Sequence, residues 1–436
     1  MRTRVFRGKL LWMALFPLLG ACQPVASRST PDDRPIAPVH RVSAETPYDT
    51  RLARPMTETQ LLAKLEGTGL VFLGELHTDP RSHAFQARVV EGLARRGGVA
   101  VALEMFSPQA DPVLEPWRRG ALSEEAFLEQ SGWYDNWGYP WPLYRDLFVA
   151  LRRAAALRGV NLTREERKAV LLGGPGEGLS PALLAEWGPL DLSVQPHRSR
   201  FLTQLRGVGH GQGLAPDNPR FQGLYRVQTA WDQAMGARAA RLARQTGIRQ
   251  VIVLAGAGHL EWGLGMDLRA ARWLADHPGK PVTQLTVTDL EVSPGGSGQP
   301  KQWPVPAGLA PVVRVLPANP QAPRLVSLAG VKFSGGGATK GGETGKAAKA
   351  PAGQTPVRVE KVSGGETGWL IRHRAPHLAW LVPGDVILSL NGRPTVSPAQ
   401  VRLQYEQLLP GTDTRWEIER DGQPMTLRWK VPGETP

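Results

Sequence analysis

The chain has 436 residues, a formal net charge of +13 at pH 7 and a single cysteine. This length exceeds that of a typical domain, so the sequence predicts two or three folded units. One cysteine excludes an internal disulfide. The basic residues are spread over predicted helices and form no long run interleaved with aromatic residues, which a single-strand binder would need. We therefore expect no nucleic-acid partner.

Residues 1–21 have the layout of a bacterial lipoprotein signal peptide. Basic residues precede the apolar run LLWMALFPLLGA, which is too short to span a membrane as a mature helix. The following Cys22 sits where a lipobox needs its cysteine. Acyl chains on Cys22 would anchor the protein to a membrane. Because Gln23 rather than Asp follows, we expect the outer membrane, with the protein facing the periplasm or the cell surface.

Two low-complexity segments divide the rest of the chain. Residues 22–50 are rich in Pro, Ser and Asp and are predicted to be a tether. Residues 331–356 are rich in Gly, Ala, Lys and Thr and are predicted to be a flexible linker. They delimit a first unit of residues 51–330 and a second, smaller unit of residues 357–433.

The first unit alternates apolar strand-like runs with helical stretches. The strand-like runs are 69–75, 99–106, 248–258 and 282–290, with a weaker run at 159–162, and the helical stretches include 82–96, 142–158 and 224–245. Continuous apolar runs suit parallel strands that are buried on both faces. The sequence therefore predicts an α/β domain with a mainly parallel sheet and helical insertions.

The second unit contains the stretch PGDVILSLNG at 383–392, which predicts a turn, a buried strand and a tight Asn-Gly hairpin, and RDGQ at 420–423, which predicts a second hairpin. These motifs resemble those of the PDZ domain family. The resemblance implies a small, mainly-β domain that adds a C-terminal peptide to its sheet edge. By position, the loop that holds the peptide carboxylate would be formed by Gly368, Trp369, Leu370 and Ile371. A packing role for this loop stays open, because Trp369 is unusually bulky.

Polar side chains follow three strand-like runs of the first unit. They are Glu75 and His77, then Glu104, then His259. Ligands of parallel sheets bind outside the carboxyl ends of the strands, so these four side chains are predicted to form one pocket. Two imidazoles and two carboxylates suit a divalent metal such as Zn, Mn or Fe. They suit a metal-free acid/base set equally well.

The helix after the first of these runs carries two weaker signals. Asp79 and Pro80 are expected to begin that helix. His83 is expected on its exposed face.

An aromatic cluster, GWYDNWGYPWPLYRD, occupies residues 132–146. Such a cluster either packs in a core or lines a flat ligand site. Its tyrosines, Tyr134, Tyr139 and Tyr144, are candidate haem ligands, because phenolate oxygen can ligate ferric haem.

Together these motifs resemble the ChaN family of bacterial lipoproteins. The matching segments are GELHTDPRSHAFQ, ALEMF, the aromatic cluster, GVNLTREERKAV, YRVQTAWDQAMG and LAGAGHLEWGLGMDLR, over roughly residues 50–290. The resemblance implies an α/β core with a helical subdomain. It also implies binding of haem or an iron complex for uptake, with tyrosine and histidine ligands and a possible homodimer.

Two alternatives remain at this stage, and whether the protein is an enzyme is open. The superfamily of ChaN also contains Tiki-type and erythromycin-esterase-like hydrolases, in which the residues matching Glu75, His77, Glu104 and His259 hold metal or activate water. The protein would then be a metal-dependent hydrolase or peptidase. A non-catalytic adapter acting through the PDZ-like unit is the other alternative.

Overall fold

A computed structural model describes residues 39–172, 179–207, 214–293, 302–318, 331–335, 357–362 and 381–431. The signal peptide, Cys22, most of the tether and the loop Gly368–Ile371 lie outside the described residues. In these ranges no helix has both the length and the apolar character needed to cross a membrane.

The strands are β1 (Val39–Val42), β2 (Tyr48–Asp49), β3 (Arg54–Pro55), β4 (Leu70–Glu75), β5 (Val99–Leu103), β6 (Ala156–Gly159), β7 (Gln250–Gly256), β8 (Gln284–Val292), β9 (Trp303–Pro306), β10 (Val312–Pro317), β11 (Val331–Gly335), β12 (Val357–Val362), β13 (Val386–Leu390), β14 (Arg393–Pro394), β15 (Asp413–Arg420) and β16 (Gln423–Lys430). The helices are α1 (Glu58–Glu66), α2 (Pro80–Ala94), α3 (Asp111–Arg118), α4 (Glu124–Ser131), α5 (Trp133–Asn136), α6 (Arg145–Ala150), α7 (Arg164–Leu172), α8 (Pro181–Trp187), α9 (Gln195–Gly207), α10 (Pro219–Ala243), α11 (Met266–Asp276) and α12 (Pro398–Glu406).

The first unit is built on an eight-stranded sheet in the order β3-β2-β10-β8-β4-β7-β5-β6. The pairs from β10 to β6 are parallel, and β2 and β3 add an antiparallel edge. The predicted α/β class with a mainly parallel sheet is therefore confirmed. Since β7 lies between β4 and β5, the carboxyl ends of three strands that are distant in sequence meet at one edge.

Apolar side chains cover both faces of this sheet. On one face, Val71 and Leu73 of β4 pack with α2 and the aromatic segment of residues 132–146. On the other, Leu70 and Phe72 pack against the alanine-rich α10 and against α11. The continuous apolar runs of the sequence follow from this burial on two sides.

Helices α10 and α11 approach closely at Gly236. A Cβ atom at this position would lie 2.5 Å from the carbonyl oxygen of Met266 and 2.8 Å from the amide nitrogen of Ala270. Gly236→Ala should therefore lower the free energy of unfolding by about 1–3 kcal/mol, as overpacking does. Gly223→Ala on the same helix is a matched control, because its nearest neighbour is the Leu171 Cδ1 atom at 3.9 Å.

Alanine at position 223 should raise stability by up to about 1 kcal/mol, the difference in helix propensity between alanine and glycine. Urea denaturation of both variants measures the two changes. A stabilising Gly236→Ala would contradict the close approach of the helices.

Three boundaries differ from the sequence predictions. The predicted helix 142–158 ends early, and residues 156–159 form strand β6, because parallel pairing with β5 overrides the helical propensity of Ala and Leu. Residues 39–49, expected in the tether, contribute β1 and β2, which pair with β9 and β10. Residues 331–335, expected in the linker, pair with β12 of the second unit.

The second unit is a small antiparallel sheet in the order β11-β12-β13-β15-β16, with β14 paired to β13. Asn391 and Asp421 have positive φ angles and are each followed by glycine in the hairpins β13–β14 and β15–β16. The expected mainly-β domain is confirmed at this level. Its PDZ identity stays a prediction.

Candidate functional site

The site lies at the carboxyl ends of β4, β5 and β7. Glu75 is the last residue of β4, Glu104 follows β5, and His259 follows β7 by a short turn. All three side chains are buried, as is His77. The topology therefore brings together the four side chains that the strand-end pattern singled out.

Glu75 is the centre of one hydrogen-bonded group. Its Oε1 atom lies 2.9 Å from Nδ1 of His77 and accepts a hydrogen bond of 2.7 Å from the Tyr144 hydroxyl. His83 Nε2 lies 3.5 Å from the same oxygen. His83 is buried at 2% exposure, so the expectation that it faces solvent is wrong. It turns inward because Asp79 and Pro80 begin α2 as predicted and set its helical phase.

His259 is the centre of a second group. Its Nδ1 atom donates to Asp232 Oδ1 at 2.6 Å, and its Nε2 atom lies 3.3 Å from Glu104 Oε1. The other oxygen of Asp232 is 3.1 Å from His197 Nε2. Gln228, one turn before Asp232 on α10, donates to that carboxylate at 3.2 Å. His259 is thus held between two carboxylates, one from helix α10 and one that follows strand β5.

The central residues of the two groups, His259 and Glu75, have pKa values shifted in opposite directions. Burial alone would lower the pKa of His259, but Glu104 and Asp232 raise it to about 10, so the ring is an imidazolium at neutral pH. Burial alone would raise the pKa of Glu75, but His83 and His77 hold it well below its ordinary value. The Tyr144 hydroxyl stays protonated, because burial and the Glu75 charge raise its pKa well above the usual range.

The His77 ring reaches over the end of β7. A Cβ atom on Gly256 would lie 2.6 Å from His77 Nε2 and 3.6 Å from Glu104 Oε2, so only glycine leaves room for this ring. Because the Glu75 carboxylate accepts a hydrogen bond from Nδ1–H, a neutral His77 directs an unprotonated Nε2 towards the strand end. The amide of Gly256 donates to Glu104 Oε2 at 2.5 Å and fixes that side chain as well.

Aromatic side chains close a pocket over these polar groups. The rings of Trp137 and Tyr139 each have centroids 4.9 Å from that of His77. The pocket is lined by His77, Glu104, Trp137, Tyr139, Asn161, Trp231 and His259. Its enclosed space is about that of one water molecule.

The three candidate haem tyrosines have different surroundings. Tyr139 lines the pocket. Tyr144 lies behind it and donates to Glu75. Tyr134 faces away from the pocket and donates to Glu406 of the second unit at 2.8 Å. Burial, with Glu406 next, raises the pKa of Tyr134 above its ordinary value, and this disfavours a phenolate.

The metal-ligand interpretation gains no support from the donor geometry. Across the described ranges, no group of three or more His, Cys, Asp or Glu side chains is arranged to hold a metal ion. Glu75 and Glu104 each face a histidine in a hydrogen bond or ion pair. The arrangement can therefore hold and move protons, with His77 Nε2 as a base and the His259 imidazolium as an acid or an anion contact.

Several residues of the site were not found from the sequence. Asp232, Gln228 and Trp231 lie in the motif YRVQTAWDQAMG, to which no role was given. Their signal was the i, i+4 spacing of Gln228 and Asp232, which places two polar side chains on one face of a long apolar helix. The sequence does not predict a site role for His197, because the composition of α9 is typical of a basic surface helix.

Residues 61–269 match the family model described as haem-binding uptake, Tiki superfamily, ChaN. The first unit therefore contains a region similar to the ChaN family. The match spans every residue of the two hydrogen-bonded groups, from Glu75 to His259. A search of curated proteins finds no match to the chain.

The chain is also similar to several solved structures. One is ChaN of Campylobacter jejuni with cofacial haem, at 15% identity and a TM-score of 0.48, covering 62% of this chain and 95% of that one. Another is an erythromycin esterase mutant in its open conformation, at 14% identity and a TM-score of 0.33, covering 61% and 83%. A third is an HtrA-type protease with a decapeptide, at 24% identity and a TM-score of 0.15, covering 19% and 22%.

Proposed function

We propose that the protein binds haem at the aromatic side of this pocket and serves iron uptake. The observation that carries the proposal is the match of residues 61–269 to a family described as haem-binding uptake. The residue types at the pocket agree with it, because histidine and tyrosine ligate haem iron and aromatic walls suit a planar ligand. Haem would supply the iron, and the chain would supply a donor atom to it and an apolar surface.

The donor atoms present fit such a group, whereas the enclosed space of the pocket must widen to admit it. His77 and Tyr139 line the pocket and carry the donor atoms that haem iron takes. The indole nitrogen of Trp231 is buried at the pocket and finds no acceptor among the described residues, so a ligand oxygen could receive its hydrogen bond. His259 is not a candidate ligand, because both its ring nitrogens face carboxylates and the ring is protonated.

A hemin titration of the full chain tests the proposal. The Soret band should shift on binding, and His77→Ala and Tyr139→Phe should each weaken binding by about tenfold or more if they ligate iron. His277→Ala is the matched control, because His277 is exposed and stacks on Trp273 away from the pocket. A spectrum unchanged by saturating hemin, or equal losses in the control, would refute haem binding at this site.

Hydrolysis without a metal is a second candidate. It is favoured by the Asp232–His259–Glu104 group beside a space of about one water molecule. An ester substrate given to the chelator-treated protein of the same titration separates the two functions. Turnover that is lost in Glu104→Gln, together with an absent Soret shift, would support hydrolysis over haem binding.

We also propose a location and further partners. A lipid on Cys22 would place the protein at the outer membrane, facing the periplasm or the surface. The molecular mass of the protein extracted from the cell envelope tests whether Cys22 carries this lipid. The loop Gly368–Ile371 would take a peptide carboxylate at the second unit. Two copies of the chain could hold haem between them as a homodimer, which would appear as a hemin-dependent doubling of mass.

A further inference from the structure

The second unit packs against the first through helix α12. Ala399 and Leu403 join the apolar core on the aromatic side of the large sheet. The amide of Ala399 also donates to Glu129 Oε2 of α4 at 3.1 Å. This surface, with Glu406, is called the α12 contact. The two units are therefore joined by packed side chains as well as by the chain between them.

Glu406 is the polar centre of the α12 contact. It is 2% exposed, and its Oε2 atom accepts hydrogen bonds from the Tyr134 hydroxyl at 2.8 Å and the Trp141 amide at 3.0 Å. The Arg402 guanidinium lies 5.1 Å from the centre of the Tyr134 ring. A carboxyl group from the second unit thus caps two donors of the aromatic segment, residues 132–146.

The opposite side of the same segment forms the pocket wall. The Trp133 ring stacks edge-on against Trp141 at 5.1 Å, and its indole nitrogen donates to the Tyr139 carbonyl at 2.8 Å. The Tyr139 ring then lies 4.9 Å from His77. Packed and hydrogen-bonded groups therefore run without a gap from Glu406 to the pocket.

The small size of the pocket makes the position of the aromatic segment important for ligand entry. The enclosed space is about that of one water molecule, so a larger ligand enters only if part of the lining moves, and the aromatic segment supplies Trp137 and Tyr139 to that lining. Tyr144 holds the segment from inside through Glu75. Glu124 of α4 holds it through the Trp141 indole and the Arg145 guanidinium, and Glu406 holds it from outside. Of these three attachments, the one made by Glu406 comes from another unit.

We propose that the α12 contact is autoinhibitory: Glu406 holds the aromatic segment over the pocket, and release of α12 opens the pocket to a ligand larger than water. Partners that bind the second unit and displace α12 would thereby raise the affinity of the first unit for its ligand. The nature of that ligand rests on the proposed haem function, whereas the opening itself does not.

The charge state of Glu406 gives the contact a pH dependence. Burial raises the pKa of Glu406 to about 8, against the hydrogen bonds from Tyr134 and Trp141 that lower it. The charged and titratable groups around it are Tyr134, Asp135, Arg145, Arg402, Glu124 and Glu129. On release the carboxyl returns towards its ordinary pKa of about 4.5, so the contact weakens as pH rises from about 4.5 to about 8 and weakens no further above that.

Amide hydrogen exchange of peptides covering residues 132–146 tests the inference without any ligand. Glu406→Ala leaves two buried donors unpaired, so exchange there should accelerate about tenfold or more. Glu406→Gln keeps an acceptor oxygen and should stay close to the wild type. From pH 5 to 8, exchange of these peptides in the wild type should accelerate beyond that in Glu406→Gln, because only the carboxyl can ionise.

Hemin titration of the same variants forms the second arm. Glu406→Ala should bind hemin up to about tenfold more tightly, because less of the protein is in the closed state. Tyr134→Phe leaves the second unit unaltered. It should also accelerate amide exchange of residues 132–146 and tighten hemin binding, each by a smaller factor than Glu406→Ala. Continued protection of β15 and β16 peptides shows that the second unit remains folded in each variant.

The possible outcomes separate this inference from the proposed function. Unchanged exchange in both Glu406→Ala and Tyr134→Phe would overturn the autoinhibitory contact, whatever hemin does. Faster exchange with weaker hemin binding would also overturn the autoinhibitory contact. In that case the aromatic segment, when held by Glu406, would assist hemin binding instead of opposing it. Faster exchange with no hemin binding in any variant would support the contact and refute the haem function alone.

Discussion

Replacing Asp232 with asparagine should lower the free energy of unfolding by about 3–5 kcal/mol, as expected when one partner of a buried ion pair is removed. Asp232 is fully buried, with its two oxygens 2.6 Å from His259 Nδ1 and 3.1 Å from His197 Nε2. Of the two carboxylates around the His259 imidazolium, Glu104 alone would remain, because an amide carries no charge. Its NH2 group would also face a ring N–H, leaving two donors without an acceptor.

Urea denaturation at neutral pH measures this loss. Glu58→Gln is the matched control, because it makes the same change from carboxylate to amide in the exposed pair with Arg88. That pair should contribute about 0–1 kcal/mol. Similar losses in the two variants would contradict the buried ion pair.

The stability of the wild-type protein should fall as pH rises from about 6.5 to about 10. The pKa of His259 is 6.5 when unperturbed and about 10 in the fold, so the folded protein holds one more proton than the unfolded chain in this range. Each pH unit should then cost about 1.4 kcal/mol of unfolding free energy. Glu406 adds a loss of the same sign between about pH 4.5 and 8, because burial raises its pKa.

His259→Gln separates the two contributions. Glutamine has no proton to release, so the variant should be less stable at neutral pH and nearly independent of pH between about 8 and 9.5. Urea midpoints at several pH values provide the comparison. Parallel pH profiles for the variant and the wild type would show that His259 is not the proton-binding group.

The large sheet was predictable from the sequence because its strands are buried on both faces. Runs such as GLVFLGE and VIVLAGAG leave no polar face, and this pattern identified β4 and β7 with small boundary errors. Strand β6 was placed too late in the chain, because ALRG has the composition of a helix and only pairing with β5 makes it a strand. The proline-rich sequence around residues 39–49 favours a tether, and the strands β1 and β2 are recognisable only from their pairing with β9 and β10, which are distant in sequence.

The site was predictable only where it coincides with strand ends. Glu75, Glu104 and His259 follow apolar runs, and the ordering of parallel strands made their convergence an inference from topology. Asp232 stands within a helix, where a single acid usually faces solvent. Its burial depends on how α10 is rotated against β7, and single-sequence patterns do not contain that rotation. The burial of Glu406 was not predictable from the sequence, because its hydrogen-bond partners Tyr134 and Trp141 belong to the other unit.

The strand order also fixes when the site can form during synthesis. Strand β4 is made early, but its two neighbours, β7 and β8, lie at residues 250–256 and 284–292. The centre of the sheet therefore waits for most of the first unit to be made, and long-range pairing of this kind folds slowly. The apolar β4 stays uncovered during that interval and needs protection from aggregation. No fragment that ends before β7 can assemble Glu75, His77 and His259 into one pocket.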